Sequence, residues 1–203
     1  GQERPVFCAG ADLKAINSGQ AAGLNTKRGG FGGFVYRDRK KPVIAAVDGL
    51  ATAGGCELVL ACDMLVASTR SAFGLAEATR NLIAGAGGLF RLPRAIGRAA
   101  AMEAILTGEP FSAQRAYELG MVNKLVEPNT SLDAAIDLAL RVCKAAPLAV
   151  WASRKIVLAS ETESDQNLID MTNKEFAAVL ASEDTKEGLT AFIEKRPPNW
   201  QGK

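Results

Sequence analysis

The sequence predicts an α/β fold, and three observations point to it. A β-rich apolar run passes through a small-residue turn into a helix start twice, at Val6–Lys14 and at Val43–Cys56. Short apolar strands and helices then alternate as far as about residue 129. From Thr130 onward the apolar residues Leu132, Ala135, Ile136, Ala139, Leu140 and Cys143 recur at helical spacing. Residues 1–129 are therefore expected to form a core of strand–helix units, and residues 130–203 a helical region.

The elements follow in order. Val6–Ala9 reads as a buried strand, so close to Gly1 that a strand partner or a preceding segment is expected. Gly10–Lys14 turns it into a short helix with Asp12 as N-cap. Residues 17–33 are rich in Gly, Asn and Ser and are expected to form a mobile loop, whose Phe31, Phe34 and Tyr36 line a pocket or pack the loop down. The charge run Arg37–Lys41 is expected on a solvated helix face. Val43–Val47 is a strand, Ala51–Gly55 a turn, and a helix starts near Cys56. Met64–Ala67 and Ala72–Leu75 are further strands, and Ile83–Gly88 is a second glycine-rich turn leading into a helix. Arg98–Leu106 and Ser112–Leu119 read as helices, with Ser112 as cap and Gly108 and Gly120 as stops. Lys124–Val126 is a strand. Helices are expected after Pro147, over Leu168–Leu180 and over Thr185–Lys195, the last ended by Arg196-Pro197-Pro198.

Composition excludes several classes of function. There is no histidine, so neither a Ser-His-Asp nor a Cys-His nucleophile can form within the chain, and no His-bearing zinc site. The 24 basic and 22 acidic residues nearly cancel, which gives no compositional case for nucleic acid or an anionic membrane. No apolar run reaches the roughly 20 residues that span a bilayer. Cys8, Cys56, Cys62 and Cys143 show no Cys-x-x-Cys spacing and read as small hydrophobes in a reducing compartment, the cytoplasm being the expected one. Acid–base chemistry falls to carboxylates, Lys, Tyr or backbone dipoles.

Within those limits, three stretches are candidates for chemistry. At Gly54 a helix starts with Glu57 alone among apolar neighbours. Backbone N–H groups at a helix start favour negative charge in front of them, and glycines let a ligand approach closely. The turn at Gly10 echoes it, and two such turns could offer two donors to one oxygen; two ordinary βα turns are the plainer alternative. Glu77 follows a strand in Gly74-Leu75-Ala76-Glu77 as a second carboxylate, which by itself reads as a helix-start acid.

FCAGADLK, KPVIAAVDG, AGGCELVLACD, FGLAEA, GAGGLFRLPRAIG and EGLTAFIEKRPP occur in this order along the chain. Together they resemble the crotonase (enoyl-CoA hydratase/isomerase) superfamily. The resemblance implies a spiral of ββα units with a C-terminal helical region used in trimerisation, assembly as trimers or dimers of trimers, and acyl-CoA thioesters as substrates. It implies no metal and no separate cofactor, coenzyme A being part of the substrate. By resemblance, the donors to the thioester oxygen fall on Ala11 and Gly54, Glu57 activates a water, Glu77 handles the proton at C2, and the N–H of Gly85 contacts the water. Ala9, Asp12 and Leu13 correspond to backbone that cradles the adenine, and Phe192 and Lys195 to positions reaching a neighbouring subunit's CoA.

The resemblance implies that having both glutamates favours hydration or dehydration over a double-bond shift, since double-bond-shifting relatives commonly carry only the one matching Glu77. The Arg28–Phe34 loop, LFRLP and SEDTKEG also resemble carnitinyl-CoA dehydratases. Isomerase chemistry and a non-catalytic RNA-binding or scaffold role, carried by Lys27, Arg28, Arg37, Arg39, Lys40 and Lys41, are the alternatives. Three departures stand out. Ala84 replaces a usual proline, which is expected to loosen the Gly85 turn. Ala53 replaces a common glycine, a change expected to be tolerated. A segment before the FCAG strand, holding the first repeat and part of the CoA site, is expected to be missing.

Overall fold

The computed structural model describes residues 5–203. Among the described residues, the first compact unit takes 5–39 and 43–137, and the second takes 40–42 and 138–203.

The first unit is built on two largely parallel sheets. Strand β1 is Val6–Cys8; β2 (Asn25–Thr26) and β3 (Gly30–Phe31) form a small antiparallel pair; β4 is Ile44–Val47, β5 Leu50–Thr52, β6 Met64–Ser68, β7 Ala72–Gly74, β8 Phe111–Ser112 and β9 Lys124–Val126. One sheet runs β4-β6-β9, all parallel; the other runs β1-β5-β7 in parallel and ends on antiparallel β8. Helix α1 is Leu13–Asn17, α2 Gly54–Leu60, α3 Gly88–Ile96, α4 Arg98–Thr107 and α5 Ala113–Glu118. The chain therefore repeats a unit of strand, strand, helix. β4, β5 and α2 make one, β6, β7 and α3 the next. Each first strand joins one sheet and each second strand the other.

β-branched and small apolar residues suit this arrangement, because a strand covered on both faces needs side chains that fill without protruding. Val47, Ala51, Val66, Ala67 and Phe73 are fully buried, and with Leu75, Leu92, Ile96, Ala101 and Ala113 they make the core. Ser71 satisfies its buried hydroxyl against the Val47 carbonyl and the Gly49 amide, which ties the turn after β4 to the turn before β7.

Several expectations change. β1 is not buried: Val6 and Phe7 are exposed, because β1 pairs only with β5 and lies at the edge of its sheet among the described residues. β5 falls partly where a turn is expected; three residues are too short to show periodicity, and pairing on both sides makes them a strand. The 17–33 stretch contains the β2–β3 pair and a 3₁₀ turn over Ala21–Leu24. Arg37–Lys41 is not helical. Its Arg39 turns inward, donating to the Ala61 carbonyl, pairing with Asp63 at 3.9 Å and lying 4.6 Å over the Phe34 ring.

The second unit is helical. α6 (Ser131–Cys143) crosses into it, followed by α7 (Pro147–Ala159), α8 (Asp165–Leu180) and α9 (Glu183–Glu194). The units part between Asp137 and Leu138 rather than near residue 130, since the first turns of α6 bury Ser131, Ala134 and Ala135. Ser164 and Ser182 cap α8 and α9. The tail folds back: buried Asp184 accepts from the amides of Gln201 and Gly202, and Trp200 donates to the Lys144 carbonyl. None of the described helices is long and apolar enough to cross a membrane.

Asp48, in the turn after β4, accepts two bonds from Arg70 and one from the Asn129 amide. The Arg70 hydrogen bonds hold its carboxyl below the usual carboxylate range. A depressed folded-state pKa means stability that is full above the ordinary value of 3.8 and is lost as pH falls through the depressed one. Asp48→Asn is expected to cost about 2 kcal/mol at neutral pH and less in acid. Urea unfolding at a series of pH values measures the difference, and a pH-independent gap would contradict the assignment.

Candidate active site

Ala11, Gly54, Glu57 and Glu77 lie far apart in sequence, but all follow the carboxyl ends of three neighbouring parallel strands. β1 leads to Gly10 and Ala11, β5 to Gly54 and Glu57, and β7 to Glu77. The register Val6↔Leu50↔Ala72 brings those ends level, and the Ala53 amide donates to the Gly74 carbonyl across the β5–β7 gap. Strand ends of parallel sheets are where ligands bind, since helix starts and loops converge there.

The two small-residue turns meet. A Cβ on Gly10 would lie 2.7 Å from the Gly54 nitrogen, and a Cβ on Gly55 would lie 2.0 Å from the Cys8 carbonyl oxygen. Only glycine permits this approach. Gly54 is the first residue of α2, where N–H groups have no intrahelical acceptor. The Phe31 ring packs beside Gly54, so the 31–35 segment is packed down, with Phe31 and Phe34 against Val35, Leu58, Ala61 and Ala86.

Ala53, capping α2, has φ 51° and ψ −129°, a combination that favours glycine. The substitution expected to be harmless therefore carries backbone strain beside the site.

Glu57 is 3% exposed, and its Oε1 accepts from the amides of Ala86 at 2.7 Å and Gly88 at 2.9 Å. Both donors belong to the glycine-rich turn that opens α3. Sequence reading missed them; the run GAGG before an apolar helix is the signal that backbone donors are on offer. The neighbouring Gly85 is exposed, and its carbonyl accepts from the Tyr36 hydroxyl at 3.0 Å. Arg91, also missed, donates to the Ala86 carbonyl at 3.1 Å and to the Val35 carbonyl at 2.7 Å. These bonds hold the turn that Ala84 was expected to loosen, and Ala84 itself is buried in the core.

Glu77 opens a 3₁₀ turn over Glu77–Arg80 and is half-buried. Its Oε2 is buried with no hydrogen-bond partner. A buried carboxylate oxygen without a partner is costly unless it is protonated or meets a ligand. Burial pushes the carboxyls of both Glu57 and Glu77 up from the ordinary value, and the charge of Glu77 raises Glu57 further, while the Gly88 and Ala86 amides pull Glu57 back. Burial pushes the Cys56 thiol up to about 12 and Cys62 to about 11, which leaves both inert as nucleophiles at neutral pH.

A family model described as enoyl-CoA hydratase/isomerase matches residues 1–203. The chain belongs to that family. It is 41% identical over 202 residues to a carnitinyl-CoA dehydratase of Proteus mirabilis, covering 97% of this chain and 77% of the relative. It is 39% identical over 207 residues to one of Salmonella arizonae, covering 100% and 79%. Among solved structures, an enoyl-CoA hydratase from Mycobacterium marinum superposes with TM-score 0.93 at 48% identity, covering 98% of this chain and 77% of that one. An enoyl-CoA hydratase from Bacillus anthracis gives 0.87 at 35% identity, covering 100% and 80%. The fold of this chain is thus the α/β crotonase fold.

The other expected site residues are placed as follows. Ala9, Asp12 and Leu13 are exposed at the end of β1, and Asp12 caps α1 through its bond with the Lys14 amide at 2.8 Å. Phe192 and Lys195 lie in the second unit at the end of α9, where Phe192 is 84% exposed and Lys195 adopts a left-handed cap.

Two outcomes follow from this geometry. A raised carboxylate pKa costs stability as pH rises from the ordinary 4.5 through the raised value. Glu77→Gln is therefore expected to gain stability over the parent with rising pH across that window, as thermal unfolding at several pH values would show. Ala53→Gly is expected to raise stability by about 1 kcal/mol, or about 2–4 °C, by releasing strain; an unchanged or lower melting temperature would count against strain at that residue.

Proposed function

We propose that this chain hydrates 2-enoyl-CoA thioesters and dehydrates the 3-hydroxyacyl products. The observation that carries the reading is the carboxylate pair: Glu57 fixed by two backbone donors, and Glu77 with a buried oxygen that has no hydrogen-bond partner. The hydratase and dehydratase names of its relatives support the same chemistry.

The thioester carbonyl oxygen would sit between the N–H groups of Ala11 and Gly54. Water attacking C3 builds negative charge on that oxygen, and each donor aimed there is worth about 3 kcal/mol. Two neighbouring carboxyls do not readily both ionise, so one starts as base and the other as acid. The two amides on Oε1 favour the ionised form of Glu57 and leave Oε2 to accept the water proton. Glu77 draws only on its own backbone N–H and the charge of Arg80, which suits the acid that protonates C2. Water thus supplies the hydroxyl at C3, its proton passes to Glu57, and Glu77 supplies the hydrogen at C2. Proton exchange with solvent resets the pair. By the family resemblance we assign the Gly85 N–H, on the exposed turn next to Glu57, as a further water contact, and the backbone at Ala9, Asp12 and Leu13 as the adenine cradle.

The second unit leaves Ile169, Phe176 and Leu180 of α8 exposed, with Leu189, Phe192 and Ile193 of α9. That surface supports assembly as a trimer or dimer of trimers, with Phe192 and Lys195 reaching the neighbour's CoA. Carnitinyl-CoA dehydration is a second reading, favoured by the named relatives at 41% and 39% identity. An RNA-binding role loses ground, since Arg39 of the basic run is turned inward.

Glu57→Gln and Glu77→Gln are each expected to cut hydration of crotonyl-CoA roughly a hundredfold or more while CoA-ester binding persists. Loss of enoyl absorbance, followed by titration calorimetry, measures both. Near-full turnover by either variant would defeat the mechanism, and preferential turnover of crotonobetainyl-CoA would select the second reading.

A further inference from the structure

We propose that Tyr36 and Arg91 are positioning residues that lock the Gly85–Ala86 peptide with its N–H toward Glu57. The two ends of this single peptide unit are held from opposite sides. Its nitrogen donates to Glu57 Oε1 at 2.7 Å, and its carbonyl oxygen accepts from the Tyr36 hydroxyl at 3.0 Å. A hydrogen bond to the carbonyl also polarises the peptide and strengthens the N–H as a donor.

The lock answers a weakness of the turn. Ala86 is flanked by Gly85 and Gly87, and Gly87 adopts φ +104°. Glycine-flanked peptides rotate at little steric cost. Rotation of the 85–86 unit by half a turn would exchange its N–H for its carbonyl and face an oxygen dipole against the Glu57 carboxylate. Tyr36 ties the oxygen end against that rotation. Arg91 ties the next carbonyl, that of Ala86, and with its other amino group the carbonyl of Val35, the residue before Tyr36. Its guanidinium lies 5.5 Å from the centre of the Tyr36 ring. One planar fork thus secures both the turn and the segment that carries the tyrosine, a geometry lysine does not reproduce.

The charged groups acting on Glu57 are Glu77 from the 3₁₀ turn and Arg91 from α3; of the strands packed on α2, β5 carries no titratable side chain and β1 carries Cys8. Arg91→Lys keeps the positive charge and removes the fork, and Tyr36→Phe removes one oxygen from a half-exposed ring. Tyr36→Phe leaves the charges around Glu57 unaltered, so a shift in its titration in that variant reports the peptide's orientation.

The inference rests on the reading of Glu57 as the base, and the test separates the two. The full chain, labelled with carboxyl-13C glutamate, is titrated by NMR, the Glu57 signal being assigned by its absence in Glu57→Gln. Tyr36→Phe and Arg91→Lys are each expected to move the Glu57 midpoint to higher pH. Both are also expected to lower kcat on crotonyl-CoA roughly tenfold, the worth of one hydrogen bond, with KM little changed. A Glu57 midpoint in Tyr36→Phe equal to the parent's would overturn the proposal, whether or not Arg91→Lys folds. If the parent shows no turnover of crotonyl-CoA, the hydratase reading fails while the titration still decides the positioning role.

Discussion

The parallel register of β1, β5 and β7 is the constraint on which the site depends. A parallel pair brings strand ends of the same polarity level, so whatever follows each strand arrives at one edge. Here three strands deliver the Gly10–Ala11 turn, the Gly54–Glu57 helix start and the Glu77 turn to one place. The strands are only three residues long, yet β5 and β7 are pinned by side chains that fit: Ala51 and Phe73 are fully buried. A slip of one residue would turn those side chains outward and separate the carboxylates.

The second dependence is electrostatic. Burying Glu57 to 3% exposure would be prohibitive for a bare carboxylate, and two amides from the next repeat make it tolerable. The buried carboxylate at the helix start of one repeat is satisfied by the turn of the following one. Glu77 Oε2 is left without such a partner, so two chemically identical side chains sit in different environments, the difference on which the proposed division of roles rests.

Local rules fail where this site is built. Ala53 holds a backbone conformation that glycine prefers, and Arg39 lies among apolar groups inside a run that reads as solvated. Both departures have a tertiary cause. Ala53 lies where β5 must end level with β7 and α2 must begin at once. Arg39 finds Asp63, the Ala61 carbonyl and the Phe34 ring in segments more than twenty residues on or just behind it.

The sequence by itself determined the α/β class, the approximate helix positions with the Ser112 cap, and Glu57 as a candidate for acid–base work, Glu77 joining it through the family resemblance. Those features are local: a period, a cap or a carboxylate among apolar residues is visible within a few positions, and the absence of histidine narrows the chemistry directly. Only the tertiary structure decided that Ala86 and Gly88 hold Glu57, that Glu77 keeps an unpartnered oxygen, and that Tyr36 and Arg91 donate to the Gly85 and Ala86 carbonyls of the same turn. Backbone donors carry no side-chain signature, and contacts spanning 29 or 49 residues leave no periodicity to read. Burial raises both carboxyl pKa values only once packing has removed the water around them.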